Sequence, residues 1–144
     1  MANEWADCHD AIIALLEDIT MFRRVGKAIP EVPVTDCEAV VLMSRGTHRQ
    51  LGTMLRLETH YPWILVYVPV ASNPEDTEEL LNAAWDAMVA KFNANILLSD
   101  TSVESYLESY RTGWETIAGV KCRVLRAPLR ARIAKATAYT ASEA

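Results

Sequence analysis

Apolar and polar residues follow two rhythms along this chain, and the changes of rhythm divide it into elements. Over residues 3 to 20, Trp5, Cys8, Ile12, Leu15, Leu16 and Ile19 recur at three- and four-residue intervals, which predicts one face of an amphipathic helix. Asn3 is placed to cap it, Glu4, Asp7 and Asp10 suit the positive end of its dipole, and its end is expected near Gly26, after Arg23 and Arg24. The two prolines of IPEVPV forbid a continuing helix, so Lys27 to Thr35 reads as an extended link. Glu38 to Met43 reads as a β-branched strand. Thr53 to Thr59, where Leu55 and Leu57 alternate with Arg56 and Glu58, reads as its hairpin partner across a polar loop from Ser44 to Gly52. Trp63 to Val70 is apolar at both parities, as a central strand buried on both faces would be; Thr53 to Val70 is either one long strand bent at Pro62 or two strands.

The second half opens on a strong helix start, with Asn73 as cap, Pro74 at the first helical position and Glu75 and Asp76 in the first turn. Leu80, Leu81, Ala84, Trp85, Met88, Val89 and Phe92 make its apolar stripe, and its end falls near Asn93. Residues 101 to 118 carry two patterns. Thr101 to Glu104 resembles a capping box, whereas the aromatic and β-branched content favours a strand at about 104 to 116, which is the reading adopted. In Gly119 to Lys135 the cations change parity: Lys121 and Arg123 are odd, Arg126, Arg130 and Arg132 even. A strand with a bulge near Val124 and Leu125 would bring all of them to one face, with Pro128 implying an edge or a second irregularity. The sum is a single α+β domain over residues 1 to 144, with a small mixed or antiparallel sheet of four to five strands packed by two main helices and a loose tail from about residue 137.

Charge changes this picture more than composition does. Half the residues are apolar (51%) and 23% charged, ordinary for a globular chain, and the longest apolar run, Trp63 to Ala71, is far too short to cross a bilayer. The acidic N-terminus does not fit a signal peptide, so a cytosolic setting and no membrane partner are expected. Net charge is −5, but residues 1 to 100 carry −8 and residues 101 to 144 carry +3, and Gly119 to Lys135 holds six cations and no acid. Such polarity marks a nucleic-acid surface, a self-assembling protein whose acidic face meets its own basic face, or simply a strand with solvated arginines.

Candidate chemistry is sparse. Cys8, Cys37 and Cys122 stand at wide spacings with no CxxC pair, and His9, His48 and His60 match no ligand spacing; neither a disulfide framework nor a metal site is expected, and the thiols read as small hydrophobes. No nucleophile elbow, HExxH, Walker loop or GxGxxG occurs, so neither a cofactor nor an enzymatic activity is expected. The more suggestive segment is the basic, glycine-bounded stretch Arg45 to Gly52 with His48 and Arg49, suited to a neighbouring subunit or a nucleic-acid backbone. No aromatic residue interleaves with its cations, which argues against base stacking. The candidate contact residues are therefore Arg45, His48, Arg49, Lys121, Arg123, Arg126, Arg130 and Arg132, in a subunit interface or lining a lumen.

The order of helix, proline-containing link, strands, capped helix and C-terminal strands resembles the tail terminator (minor tail or tail-completion) proteins of long-tailed phages. The local textures that carry the resemblance are CEAVVLM, YPWILVYVPV followed by NPEDTEELLNAAWDAM, and KCRVLRAPLRARI. It implies a non-enzymatic virion protein at the head–tail junction, assembled in the host cytoplasm. Its hexameric ring would cap the tail tube protein, meet a head-completion or neck protein, and let genomic DNA pass through the lumen. The family offers no fixed motif from which contact residues transfer, so the residues named above rest on charge alone. A strongly basic bore would hold DNA back, which favours the interface over the lumen. A head-to-tail connector of the same virion, and a small non-specific DNA-binding module using Arg45, Arg49 and the C-terminal cations, are the alternatives.

Overall fold

The computed structural model describes residues 5–34, 36–51, 55–70, 74–98 and 104–136. The elements are helix α1 (Trp5–Glu17), strands β1 (Arg24–Gly26), β2 (Glu38–Leu51) and β3 (Leu55–Pro69), helix α2 (Pro74–Asn93), and strands β4 (Glu104–Leu107), β5 (Arg111–Ile117) and β6 (Val120–Ala136). They form an α+β fold around one mixed six-stranded sheet of order β1-β2-β3-β6-β4, with β5 sharing the outer edge of β6; only β1 and β2 run parallel. The strand number exceeds the expected four to five because Arg24–Gly26, expected as the end of the first helix, is a strand, and the expected 104–116 strand is split into two. The expected caps Asn3 and Asn73, the start of the expected capping box at Thr101, the hairpin tip at 52–54 and the tail from 137 lie outside the described residues.

α1 buries Cys8, Ile12, Ile13, Leu15 and Leu16, as its periodicity requires, but stops at Glu17 rather than near Gly26. Arg24 to Gly26 instead pair with Glu38 to Val40. The Arg23 N–H donates to the Cys37 carbonyl at 2.8 Å, and the Arg24 guanidinium forks onto the buried Glu38 carboxylate at 3.0 and 3.1 Å, an interaction only an extended backbone can align. α2 has a narrower stripe than expected, burying Thr77, Leu81, Ala84, Met88 and Phe92, while Leu80 turns outward.

Residues 45–51, expected as a loop, are strand. Arg45 to Leu51 pair with Tyr61 to Leu55, and a bulge between Leu42 and Arg45 absorbs one extra residue opposite Pro62, which has no N–H for the ladder. Local propensity is overridden because β3 is itself held on its other side by β6 as far as Ala136, giving β2 a long template. β3 is thus a single strand and the central one, as its two-sided apolar run implied. The expected 104–116 strand breaks at Glu108 to Tyr110, where its register against β6 slips by one: Leu107 faces Leu129 and Arg111 faces Arg126. The slip therefore sits in the edge strands, not in β6.

β6 carries no bulge near Val124 and Leu125. Cys122 to Ala136 keep one register against Pro69 to Leu55, so the parity change in its cations is a real change of face. Its apolar residues change parity too. Leu125, Ala127, Leu129, Ala131 and Ile133 join the large core beneath α1 and α2, whereas Cys122 and Val124 join a smaller core on the opposite face with Val34, Val40, Leu65, Tyr67 and Ile117. Val34 brings the proline-containing link over that second face. All three cysteines are buried. Burial pushes the Cys37 thiol up to about 12, with Asp36 and Glu38 adding to it, and raises Cys122 as well. These thiols are packing groups with almost no thiolate at neutral pH.

Candidate interaction surface

Strand alternation sorts the eight candidate residues into two groups that the sequence had merged. Arg126 lies opposite Leu65, Arg130 opposite Tyr106, and Arg132 opposite Thr59 and Glu104, all on the sheet face that points away from the helices. Arg45 opposite Tyr61 and Arg49 opposite Leu57 share that face. Lys121, Arg123 and His48 are on the helix-bearing side. The single basic face expected of β6 holds three of its five candidate cations; Arg45 and Arg49, expected in a loop, bring the candidates on it to five, and Arg111, opposite Arg126, joins them.

Four of the five are ordered by aromatic and acidic neighbours. Arg45 lies 4.3 Å over the Tyr61 ring, and Arg130 donates to the Tyr106 hydroxyl at 2.7 Å while lying 5.7 Å over that ring. The Tyr106 hydroxyl, as acceptor, makes the Arg130 guanidinium still harder to deprotonate. Arg126 reaches Glu115 at 3.5 Å and Arg132 reaches Glu104 at 3.1 Å. These pairs are partly exposed and each is worth at most about 1 kcal/mol. Aromatic residues therefore do interleave with the cations. Tyr61 and Tyr106 come from other strands than the arginines they touch, which is why a reading along one segment missed them; only the pairing of β2, β3, β4 and β6 brings them together. Below them Leu42, Trp63 and Leu65 line a shallow apolar hollow of about 310 Å³ closed by Arg126. Arginine, tyrosine and tryptophan around an apolar centre is the composition of protein contact surfaces.

Arg123 has an internal task. Its guanidinium forks onto Glu78 of α2 at 3.0 and 3.3 Å and donates to the Gly113 carbonyl at 3.0 Å, with only 13% of the side chain exposed. It ties β6 to both β5 and α2. Lys121 and Arg123 also flank Trp114, at 4.7 and 4.8 Å from its ring. His48 sits opposite Glu58, near a corner where the Trp5 ring stacks 4.2 Å from that of His60 and His60 is 2.9 Å from Glu58. Gly46 lies under that histidine; a Cβ there would come within 2.8 Å of its ring, so the glycine makes room for the stack that seats the start of α1.

α2 presents the opposite charge. Glu75, Asp76, Glu78, Glu79 and Asp86 stand on it against a single cation, Lys91. Beyond its stripe, Trp85 packs on Tyr110 with ring centroids 4.7 Å apart, and Tyr110 and Trp114 remain 46% and 58% exposed. Both fall in the expected 104–116 strand, which gave them no contact role; Trp114 is exposed on the edge strand β5, and Tyr110 lies in the break before it.

Neither a protein-family model nor a curated protein matches the chain. Among solved structures, a chain from the "Virion of native gene transfer agent (GTA) particle" aligns over 85% of this chain and 84% of its own, at 17% identity and a TM-score of 0.44.

Proposed function

We propose that this chain is a structural virion protein of the tail terminator type, whose copies join head to tail into a hexameric ring that caps the tail tube and meets the head-completion proteins. The observation that carries this reading is the placement of opposite charges on opposite sides of one fold. Arginines stand exposed or half-buried on the sheet face away from the helices, beside the part that the proline-containing link covers, and the carboxylates of α2 stand on the layer packed against the other face. The two sets are separated by the thickness of the sheet and its core, so they complement each other between copies and not within one. A contact joining one patch to a different patch on the next copy closes into a ring when the rotation allows it. The hexamer number and the tube and neck partners come from the resemblance in element order. The observed helix, link, hairpin, helix and C-terminal strands follow that order.

The same arginines favour one second reading, non-specific contact with DNA phosphates, because guanidinium groups on an uncovered sheet can follow a backbone. Electron microscopy of the purified protein mixed with tail tubes tests the first reading. Rings on tube ends are expected, and tubes that elongate unchanged beside monomeric protein would end it. A salt-dependent affinity for duplex DNA that disappears in Arg126→Ala/Arg130→Ala/Arg132→Ala, with no assembly seen, would move the conclusion to the second.

A further inference from the structure

The outer half of β2 is an arm that α1 touches at its first residue, through the Trp5–His60 stack over Gly46. Every residue from Met43 to Gln50 is exposed, Met43 at 71%, although all but the bulge residues are paired with β3. Arg45 and Arg49 give this arm a positive charge, and the Arg49 side chain makes no hydrogen bond, ion pair or ring contact among the described residues. Beyond β1, which reaches only Val40, β2 has β3 as its one strand partner among the described residues, and its other ladder edge is open.

At the other end of the molecule lies a groove between α2 and β5. It encloses about 290 Å³ and is lined by Glu78, Asn82, Trp85, Tyr110, Thr112 and Arg123 among others. Of the carboxylates of α2, Glu78 lines the groove and is held there by Arg123, while Glu79 and Asp86 stand exposed on the same helix with no ion pair among the described residues. Aromatic faces beside carboxylates suit a guanidinium, which is held by both.

The arm cannot reach this groove in its own chain. Arg49 lies level with Ala134 of β6 through Leu57, while the groove floor is Arg123 and Leu125. At about 3.3 Å per strand residue the two are roughly 30 Å apart along the sheet. Resting on the head-to-tail reading above, we infer that the arm of a second copy, with Arg49 leading, docks in the α2–β5 groove. The carboxylates of α2 receive its arginines and Trp85 and Tyr110 receive its apolar and guanidinium surfaces. The open strand edge and the groove beside the acidic helix are then the two halves of one heterologous contact.

Disulfide trapping between two different single variants tests this. Thr47→Cys and Asn82→Cys both lie on exposed positions, Thr47 on the same face of the arm as Arg49, and the native thiols are buried. Mixed and mildly oxidised in the presence of tail tube protein, the two variants are expected to give a cross-linked dimer that neither gives alone, and the double variant a ladder. Adding Asp86→Lys to the Asn82→Cys partner is expected to abolish the cross-link, and pairing it with Arg49→Glu in the Thr47→Cys partner to bring it back. Assemblies that form without any cross-link, a cross-link within Thr47→Cys alone, or protein that stays monomeric overturn the docking. A specific ladder from a protein that never caps tubes leaves the docking standing and removes the tail terminator reading.

Discussion

The two faces of the sheet are built from the same strands and do different things. On the helix-bearing face, Leu125, Leu129 and Ile133 of β6 are sealed beneath α1 and α2. On the other face, the neighbouring positions Arg126, Arg130 and Arg132 lie over tyrosines and beside glutamates, still in reach of solvent. Burial on the first face stabilises the fold by about 1.5 to 3 kcal/mol per large side chain. The arginine pairs of the second face, unlike the small core beside them, add little to the fold, because partly exposed ion pairs are weak. A surface that does little for the monomer, yet is ordered and carries one charge, is where an assembly contact is to be sought.

The largest difference between the faces should appear when each is damaged in turn. Leu16→Ala, at a side chain with no exposure, is expected to lose about 2 to 5 kcal/mol. Arg126→Glu/Arg130→Glu is expected to stay within about 1 kcal/mol of the parent while losing assembly, as followed by thermal melting and sedimentation. A charge-reversed protein that melts as early as the leucine variant would erase the distinction.

A smaller effect sharpens the account of the second core. Tyr67 is fully buried and its hydroxyl finds no acceptor or donor among the described residues. Tyr67→Phe should therefore leave stability at neutral pH unchanged or raise it by about 1 kcal/mol. Burial, reinforced by Glu115 and opposed by Arg126, also pushes the Tyr67 pKa from 10.0 up to about 12, and Cys37 moves from 9.0 to about 12. Both groups are neutral in the fold and ionise more readily once unfolded. Their contribution is thus fully present below about pH 9 and is lost as pH rises toward 12. Melting temperature against pH should fall across that window, and less steeply above pH 10 in Tyr67→Phe; a parallel curve would show that Tyr67 is not the group concerned.

The smallest effect concerns the turn that aligns β5 with β6. Ile117 pairs with Val120, leaving Ala118 and Gly119 as a two-residue turn at φ of 49° and 84°. Alanine is strained there by about 1 kcal/mol, and asparagine tolerates the left-handed region better. Ala118→Asn should gain a few tenths to about 1 kcal/mol in chemical denaturation and leave assembly untouched.

What could be read from the residues alone follows from how local each signal is. Both helices were visible because their stripes are periodic over several turns, and the central strand because its apolar run has no polar side. The arm was read as a loop since Ser44 to Leu51 contain neither β-branched runs nor alternation; its strand form depends on β3, which depends on β6. A change of parity among cations reads as a bulge only if all of them share a face; in β6 the register is unbroken and the cations divide between the two faces. The sequence holds no sign that Cys122 and Val124 enter a second core, because that core is assembled from the link, three strands and the β5 end. Of the candidate surface, the arginines were legible as a charge run, whereas Tyr61, Tyr106 and the groove beside α2 required strand order.

The central claim, that the uncovered arginine face serves a neighbouring copy, is tested most directly by the mass of the protein in native mass spectrometry with tail tube protein present. The parent should appear as a closed multiple of its subunit mass, and Arg126→Glu/Arg130→Glu, with an unchanged melting temperature, as the single subunit. An assembly of the same size in both, or a parent that is a single subunit at every concentration, would contradict it.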